Sequence, residues 1–271
     1  MKMELLIKAF IMGIVEGLTE FLPISSTGHL IIVGSFIKFT GKFATMFEIV
    51  IQLGAILAVV YYFKDKILSS LKALKPGEWG FNLWYKTFIA FLPAAIIGIL
   101  THHYIEEHLF SPFTVAIALI VGAIMMIVIE DIFGKKYKID NMDKVSTSKA
   151  FWIGVAQVMS LFPGMSRSAS TIMGGMLVGL SVRAAAEFSF FLAIPTMLAA
   201  TGFELVKNIT SMSLLEWEAL AVGFIMSFIT ALIVVDKFLA YLKRHVLKPF
   251  AYYRLLVGVL MLFLIAQKIV K

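Results

Sequence analysis

Six apolar runs, each long enough to cross a bilayer as a helix, constrain this chain more than any other feature: about 46–63, 87–105, 113–130, 188–206, 218–240 and 250–268. They leave little polar surface for a water-soluble fold. Charged residues make up 15% of the chain, against about 25% in a soluble domain, and the mean hydropathy is +0.93. Lipid must therefore cover much of the surface, and the expectation is an all-α integral membrane protein forming one membrane domain over 1–271. The 24 phenylalanines and 15 methionines are read as lipid-facing or interhelical side chains. The opening MKMELLIKAFIMGIVEG is interrupted by Glu4 and Glu16 and is followed by no small-residue cleavage site, so it is read as retained. Cysteine is absent, which excludes disulfides, thiolate metal sites and a cysteine nucleophile.

The net charge of +7 needs no nucleic-acid partner, because the basic residues sit in short loops between apolar runs. Lys64, Lys66, Lys72, Lys75 and Lys86 fall in 64–86, and Lys135, Lys136, Lys138, Lys144 and Lys149 in 131–149. Lys237, Lys243, Arg244, Lys248 and Arg254 fall in 237–254, whereas 106–112 carries no lysine or arginine and 207–218 only Lys207. The first three loops are expected to be cytoplasmic and the other two external.

Two further apolar regions, 5–37 and 150–180, are broken by polar sequence containing proline and glycine. Region 150–180 lies between two cytoplasmic ends, so it is expected to enter and leave on one side as a re-entrant hairpin. The same reasoning makes 5–37 a hairpin with both chain termini external, although Lys2, Lys8, Lys38 and Lys42 pull the other way. Internal repetition supports the scheme. GIVEGLTEFLPISST from Gly13 aligns with GVAQVMSLFPGMSRS from Gly154 at an offset of 141, and Glu48 later faces Glu187. The first repeat is 1–130, the second 150–271, with 131–149 a cytoplasmic linker. Each repeat is a hairpin plus three spans, and an odd number of spans inverts the second copy. Inverted repeats place a shared site near the midplane, built from discontinuous helices.

The chemistry collects at the two breaks. In Glu16-Gly17-Leu18-Thr19-Glu20-Phe21-Leu22-Pro23-Ile24-Ser25-Ser26-Thr27-Gly28-His29, the two glutamates are four residues apart and share a helix face. Ionisable groups at membrane depth cost about 2.5–3.5 kcal/mol each on insertion scales, so they are kept facing a protein interior or a watery cavity. Pro23 ends the first half-helix, and Ser25, Ser26 and Thr27 can cap a second one carrying His29 on its first turn. A hydroxyl, an imidazole and carboxylates this close are parts of an activated-nucleophile or metal-assisted site. In Pro163-Gly164-Met165-Ser166-Arg167-Ser168-Ala169-Ser170-Thr171, a second half-helix start combines free N–H groups, hydroxyls and an arginine, which suits a phosphate. Plainer readings exist: Ser and Thr satisfy backbone groups in membrane helices, and Arg167 can simply pair with Glu16 or Glu20. His102, His103 and His108 with Glu106 and Glu107 read as a solvated loop. Glu48, Gln52 and Glu187 are read as support around the site.

EGLTEFLPISSTGH followed by PGMSRSAST resembles the bacterial undecaprenyl-pyrophosphate phosphatase family associated with bacitracin resistance. The resemblance runs over nearly the whole chain, including FEIVIQLGAILAV and EFSFFLAIP. It implies hydrolysis of undecaprenyl pyrophosphate to undecaprenyl phosphate and inorganic phosphate, which recycles the lipid carrier of cell-wall synthesis. It also implies a cytoplasmic-membrane location with the site opening externally. Glu16, Glu20, Ser26, His29 and Arg167 are then expected to be catalytic, with Ser25, Thr27, Ser166, Ser168 and Thr171 on the substrate. A divalent cation, Mg2+ or Ca2+, is implied, and Glu16 and Glu20 suit it as hard oxygen ligands. The partners are the lipid substrate and the bilayer, with a homodimer left open. The rival class is a transporter or flippase for a phosphorylated prenyl lipid, because broken helices in inverted repeats are transporter architecture.

The topology has a direct test. In a chain that starts without cysteine, single cysteines at 2, 140, 210 and 271 are expected to react with an impermeant thiol reagent in intact cells at every position but 140. Labelling at 140 but not at 210 contradicts the scheme.

Overall fold

The computed structural model describes residues 2–208 and 212–270. Residues 209–211 and 271 lie outside the described residues, and with them positions 210 and 271 of the labelling test and the centre of the 207–218 loop. The side chains of Lys207 and Glu106 also lie outside the description.

Among the described residues the chain is all helical. Six helices are long and apolar enough to cross a membrane. They are α3 (Lys42–Tyr62), α5 (Trp79–His108), α6 (Pro112–Phe133), α9 (Val182–Asn208), α10 (Leu214–Leu242) and α11 (Lys248–Ala266). Each contains most of one apolar run expected from sequence and extends beyond it. The extensions come from local chemistry that hydropathy does not register. Ser111 caps α6 by accepting from Thr114 N at 3.2 Å with Pro112 next to it. Ser213 and Glu216 form a capping box at the start of α10. Helix α5 runs eight residues upstream of its apolar run, so Lys86 lies inside a helix and not in a loop. It also runs on to His108, so the histidine cluster occupies a helix end; there His103 lies 3.8 Å from Glu107 with both side chains exposed.

The two broken regions are pairs of shorter helices. The first is α1 (Lys2–Thr19) and α2 (Ser26–Ile37). The second is α7 (Thr147–Gln157), continued by a 3-10 turn over Val158–Leu161, and α8 (Arg167–Leu177). A short amphipathic helix over Lys64–Leu71, α4, joins α3 to α5. Packing exchanges the halves: α1 lies along α10, and α7 lies along α5. Helices α3 and α9 meet each other, as do α6 and α11. Glycines at aligned positions permit the two exchanged contacts. A Cβ on Gly13 would collide with the Gly223 carbonyl of α10, and one on Gly154 with the Ala90 carbonyl of α5. Small residues allow such close backbone approach where lipid removes the hydrophobic drive between helices.

The most enclosed span is α9, whose Phe188, Phe190 and Phe191 are fully buried. Phe21, from the first break, meets Phe190 edge to face at 5.1 Å between ring centroids. The linker is held as well: Lys138 and Ile139 donate to the Gly179 carbonyl, and Lys66 reaches Asp143 at 2.7 Å. Beside it lies a polar cavity of about 410 Å³ lined by residues that include Asp140, Arg183 and Glu187.

Candidate active site

Both breaks bend the chain in the same way at aligned positions. Ser25 has φ 69° and Ser166 has φ 70°, values that side-chain-bearing residues avoid, and each immediately precedes a half-helix. Backbone in such regions stores about 1–3 kcal/mol and persists only when its surroundings hold it. In the first break Pro23 has no N–H to donate, and Ile24 N turns back to the Leu22 carbonyl at 2.7 Å. In the second, Gly164 adopts φ 97° against the Val115 backbone, where a Cβ has no room.

The first residue of each half-helix points at one carboxylate. Ser26 Oγ donates to Glu20 Oε2 at 2.7 Å, and Arg167 Nη2 donates to Glu20 Oε1 at 3.0 Å. Glu20 is 9% exposed and Ser26 8%. Arg167 Nη1 also donates to the carbonyl and the hydroxyl of Ser189, both at 3.2 Å, and its guanidinium stands 5.6 Å from the Phe21 ring centroid. Its Nε is buried without a hydrogen-bond partner. Glu16, one turn before Glu20, is fully buried with neither carboxylate oxygen hydrogen-bonded. The acidic charges around it are those of Glu20 and Glu48, and the basic one is that of Arg167.

The remaining expected residues divide by what their side chains touch. Ser168 Oγ donates to the Leu22 carbonyl at 2.8 Å and so ties the second break to the first. Thr171 donates to the Arg167 carbonyl at 2.9 Å and meets Ser189 Oγ at 2.6 Å. Both are fully buried. Ser166 Oγ accepts from Ala169 N at 3.2 Å, capping its half-helix, and lies 3.0 Å from Ser168 Oγ. Ser25 is buried, while Thr27 is partly exposed on the first turn of α2. Gln52 is partly buried on α3. Glu187 does not join the site. Arg183, one turn earlier on α9, takes its carboxylate at 3.0 Å, and it lines the cavity beside the linker. His29 makes no hydrogen bond to the Ser26 hydroxyl. Its Nδ1 lies 2.8 Å from the Ser25 carbonyl and its Nε2 2.8 Å from the Tyr253 hydroxyl, so the hydrogen of Ser26 is directed at Glu20 instead.

The cation implied by the resemblance meets at Glu16 two buried carboxylate oxygens with no other partner. Hard oxygens of this kind suit Mg2+ or Ca2+. Among the described residues no group of three acids or histidines forms a protein-only cage. That donor set fits an ion that shares its coordination with phosphate oxygens.

One central residue was read from sequence as a loop charge. Arg254 lies inside α11, is fully buried, and has no carboxylate partner among its hydrogen bonds. Its Nη1 donates to the Pro23 and Met165 carbonyls at 3.3 and 3.0 Å, so it grips both breaks. Its Nη2 donates to Gly164 at 3.1 Å and Ala118 at 3.2 Å, and its Nε to Leu119 at 3.3 Å. Gly122 on α6 makes the room, since any Cβ there would strike the guanidinium. An arginine within an apolar run is itself the signal that finds it. Glu130 then closes the start of α11, accepting from Leu247 N at 2.6 Å and Lys248 N at 2.7 Å.

Comparison with known proteins places this geometry. The family model described as Bacitracin resistance protein BacA matches residues 9–260. The chain belongs to the BacA family. It is 82% identical, over 99% of its own length and all of the relative's, to a protein of Thermoanaerobacter sp. (strain X514) named undecaprenyl-diphosphatase. Proteins of the same name from Clostridium tetani (strain Massachusetts / E88) and Methylobacillus flagellatus are 47% and 46% identical, with at least 97% of each chain covered. As a BacA family member with six apolar helices, it is a multi-pass membrane protein.

The clamp at Arg254 carries a stability prediction. Arg254→Met orphans the carbonyls of Pro23, Gly164 and Met165, which lie outside any helix, and is expected to cost at least about 3 kcal/mol, since each orphaned group carries a penalty of about 1–3 kcal/mol. Arg254→Lys, with three donors and no planar fork, is expected to recover only part of it. Exposed Arg244→Ala should stay within about 0.5 kcal/mol. Unfolding of the purified variants in detergent measures all three; an Arg254→Met protein as stable as the parent contradicts the clamp.

Proposed function

We propose that this chain hydrolyses undecaprenyl pyrophosphate to undecaprenyl phosphate and inorganic phosphate. The observation that carries the reading is the pair of donors, Ser26 and Arg167, converging on Glu20. It is supported by family membership and by the name undecaprenyl-diphosphatase borne by a relative 82% identical over the full length. Those hydrolase relatives do not favour the transporter reading.

The residues divide the reaction as follows. Ser26 Oγ attacks the terminal phosphorus while Glu20 Oε2, already its hydrogen-bond acceptor, takes the proton. The bond from phosphorus to the bridging oxygen breaks, and the lipid monophosphate leaves with that oxygen and its electron pair. Water then attacks the phosphoserine and the bond from phosphorus to Ser26 Oγ breaks; one hydrogen of the water stays on the departing phosphate and the other passes to solvent, while Glu20 returns its proton to Ser26. Protonation of Glu20 weakens its hold on Arg167 at the moment negative charge develops on the phosphoryl oxygens, so the guanidinium turns to them. Its unpaired Nε is a further donor. The N-termini of α2 and α8 add backbone N–H groups to the same anion. Held at the partner-free carboxylate of Glu16, beside Glu20, Mg2+ or Ca2+ would neutralise phosphate charge. Ser168 ties the second break to the first through the Leu22 carbonyl, and Thr171 ties α8 to Ser189 of α9, so both hydroxyls serve the protein instead of the substrate.

The two broken pairs act as re-entrant hairpins in inverted repeats, with the site reached from the external side of the bacterial cytoplasmic membrane. The exchanged packing of α1 on α10 and of α7 on α5 supports this, as do the matching backbone angles of Ser25 and Ser166. The prenyl chain stays in lipid while the pyrophosphate enters sideways between the breaks.

Phosphate release by the purified protein in detergent tests the assignment. Ser26→Ala is expected to lower turnover at least about a thousandfold yet still bind the lipid pyrophosphate. Arg167→Lys, which cannot offer a planar fork, should lose about a hundredfold with folding preserved. Near-parental turnover in both variants contradicts the reading.

A further inference from the structure

Phe113, Ile117 and Val121 recur every fourth residue along α6, so they make one stripe on that helix. The stripe is one wall of an apolar groove of about 420 Å³, whose other wall is Met159, Phe162 and Met165 of the second break. Phe113, Ile117, Val121 and Phe162 are exposed, so the groove is open along its mouth. Met165 and Ala118 are buried and make its floor. Gly164 lets the break press this close to α6, since a Cβ there would strike the Val115 carbonyl and crowd Ala118.

The floor belongs to the site as well. The carbonyls of Ala118 and Met165 both accept from Arg254, at 3.2 and 3.0 Å. Arg167 follows two residues after Met165, so their Cα atoms are at most about 7 Å apart. A ligand that reaches Arg167 and also lies in the groove needs an anion joined directly to an apolar chain. Among the described residues that line the groove, Thr114 alone is polar, and its hydroxyl meets Ser111 Oγ at 2.9 Å. A phospholipid fits poorly, because the ester carbonyls between its phosphate and its chains would find no donor there. A prenyl chain has no polar group to satisfy. Lipid tails are as apolar as these walls, so the groove acts by packing and direction and not by hydrophobicity.

We propose that the groove between α6 and the second break seats the first isoprene units of the substrate, with Ile117, Val121 and Phe162 fixing the path of the chain as it leaves the pyrophosphate. Beyond these units the chain continues into lipid. The proposal rests on the hydrolase reading above.

The test uses the purified full chain in lipid nanodiscs, with the short farnesyl pyrophosphate and the long undecaprenyl pyrophosphate as substrates. Ile117→Trp fills the groove from an exposed position. It is expected to raise KM about tenfold for both substrates with kcat within about threefold of the parent, the scale of one misfitted group in an apolar pocket. Phe162→Ala, which removes the facing wall, should also raise both KM values, and Val128→Trp, exposed on α6 outside the groove, should change neither. In a second measurement, p-benzoylphenylalanine replaces Val121 or Val128 and is photolysed with ³H-labelled farnesyl pyrophosphate. Label is expected at 121 and not at 128, and unlabelled undecaprenyl pyrophosphate should compete it away. Equal or uncompeted labelling at the two positions would overturn the proposal, because any lipid chain would then enter the groove. So would unchanged KM values in both groove variants, or a KM raised for undecaprenyl pyrophosphate alone, which would put the far end of the chain there. Phosphate release from neither substrate by the parent would remove the hydrolase reading alone, since competed labelling at 121 would still report a bound prenyl pyrophosphate.

Discussion

Glu20 takes one hydrogen bond from each half of the chain, and the rest of the structure serves to keep those two donors on it. Ser26 reaches one oxygen and Arg167 the other. Their sequence positions are 141 apart, so the carboxylate joins the two breaks at aligned residues. Inside a membrane a lone carboxylate would be costly. With a hydroxyl and a guanidinium on its two oxygens it stays buried, and it stands ready to accept a proton from one of them.

Holding that geometry requires strained backbone on both sides, and three devices restrain it. Arg254 donates to carbonyls in each break, so neither tip can swing without breaking hydrogen bonds on the other. Ser168 ties α8 to the Leu22 carbonyl. Phe21 fills the space beneath Arg167 and packs on Phe190 of α9. Because all five donors of Arg254 go to backbone carbonyls, its positive charge remains without a carboxylate. A positive charge beside the meeting point of the breaks favours an anionic ligand there.

The spans were legible because hydropathy over 18 or so residues is a strong signal in any context, and each of the six runs falls on one of the six long helices to within two residues at its C-terminal end or inside it. Glu16, Glu20, Ser26 and Arg167 were legible for a related reason: polar and ionisable groups at membrane depth are seldom neutral in effect. Arg254 carried the same mark but lay beside lysines at the end of a run, where charge counting assigned it to a loop. Partner choice was not legible. The spacing of Ser26 and His29 places them on one helix face, yet rotamer and backbone turn His29 to Ser25 and to Tyr253, 224 residues away. Glu187 matched Glu48 in the repeat, but a local pairing with Arg183 claims it. Repeats conserve backbone path more faithfully than side-chain use: Glu16 aligns with Gln157, and buried Phe21 with exposed Phe162.

The central claim is that Ser26, with Glu20 as its base, forms the bond to phosphorus. Rapid quench of a single turnover with terminally ³²P-labelled undecaprenyl pyrophosphate tests it most directly. The account requires lipid monophosphate to form ahead of free phosphate, with label trapped on the protein at Ser26 and absent from Ser26→Ala. Simultaneous appearance of the two products, with no labelled protein at any time, would mean that water attacks directly and that Ser26 only orients it.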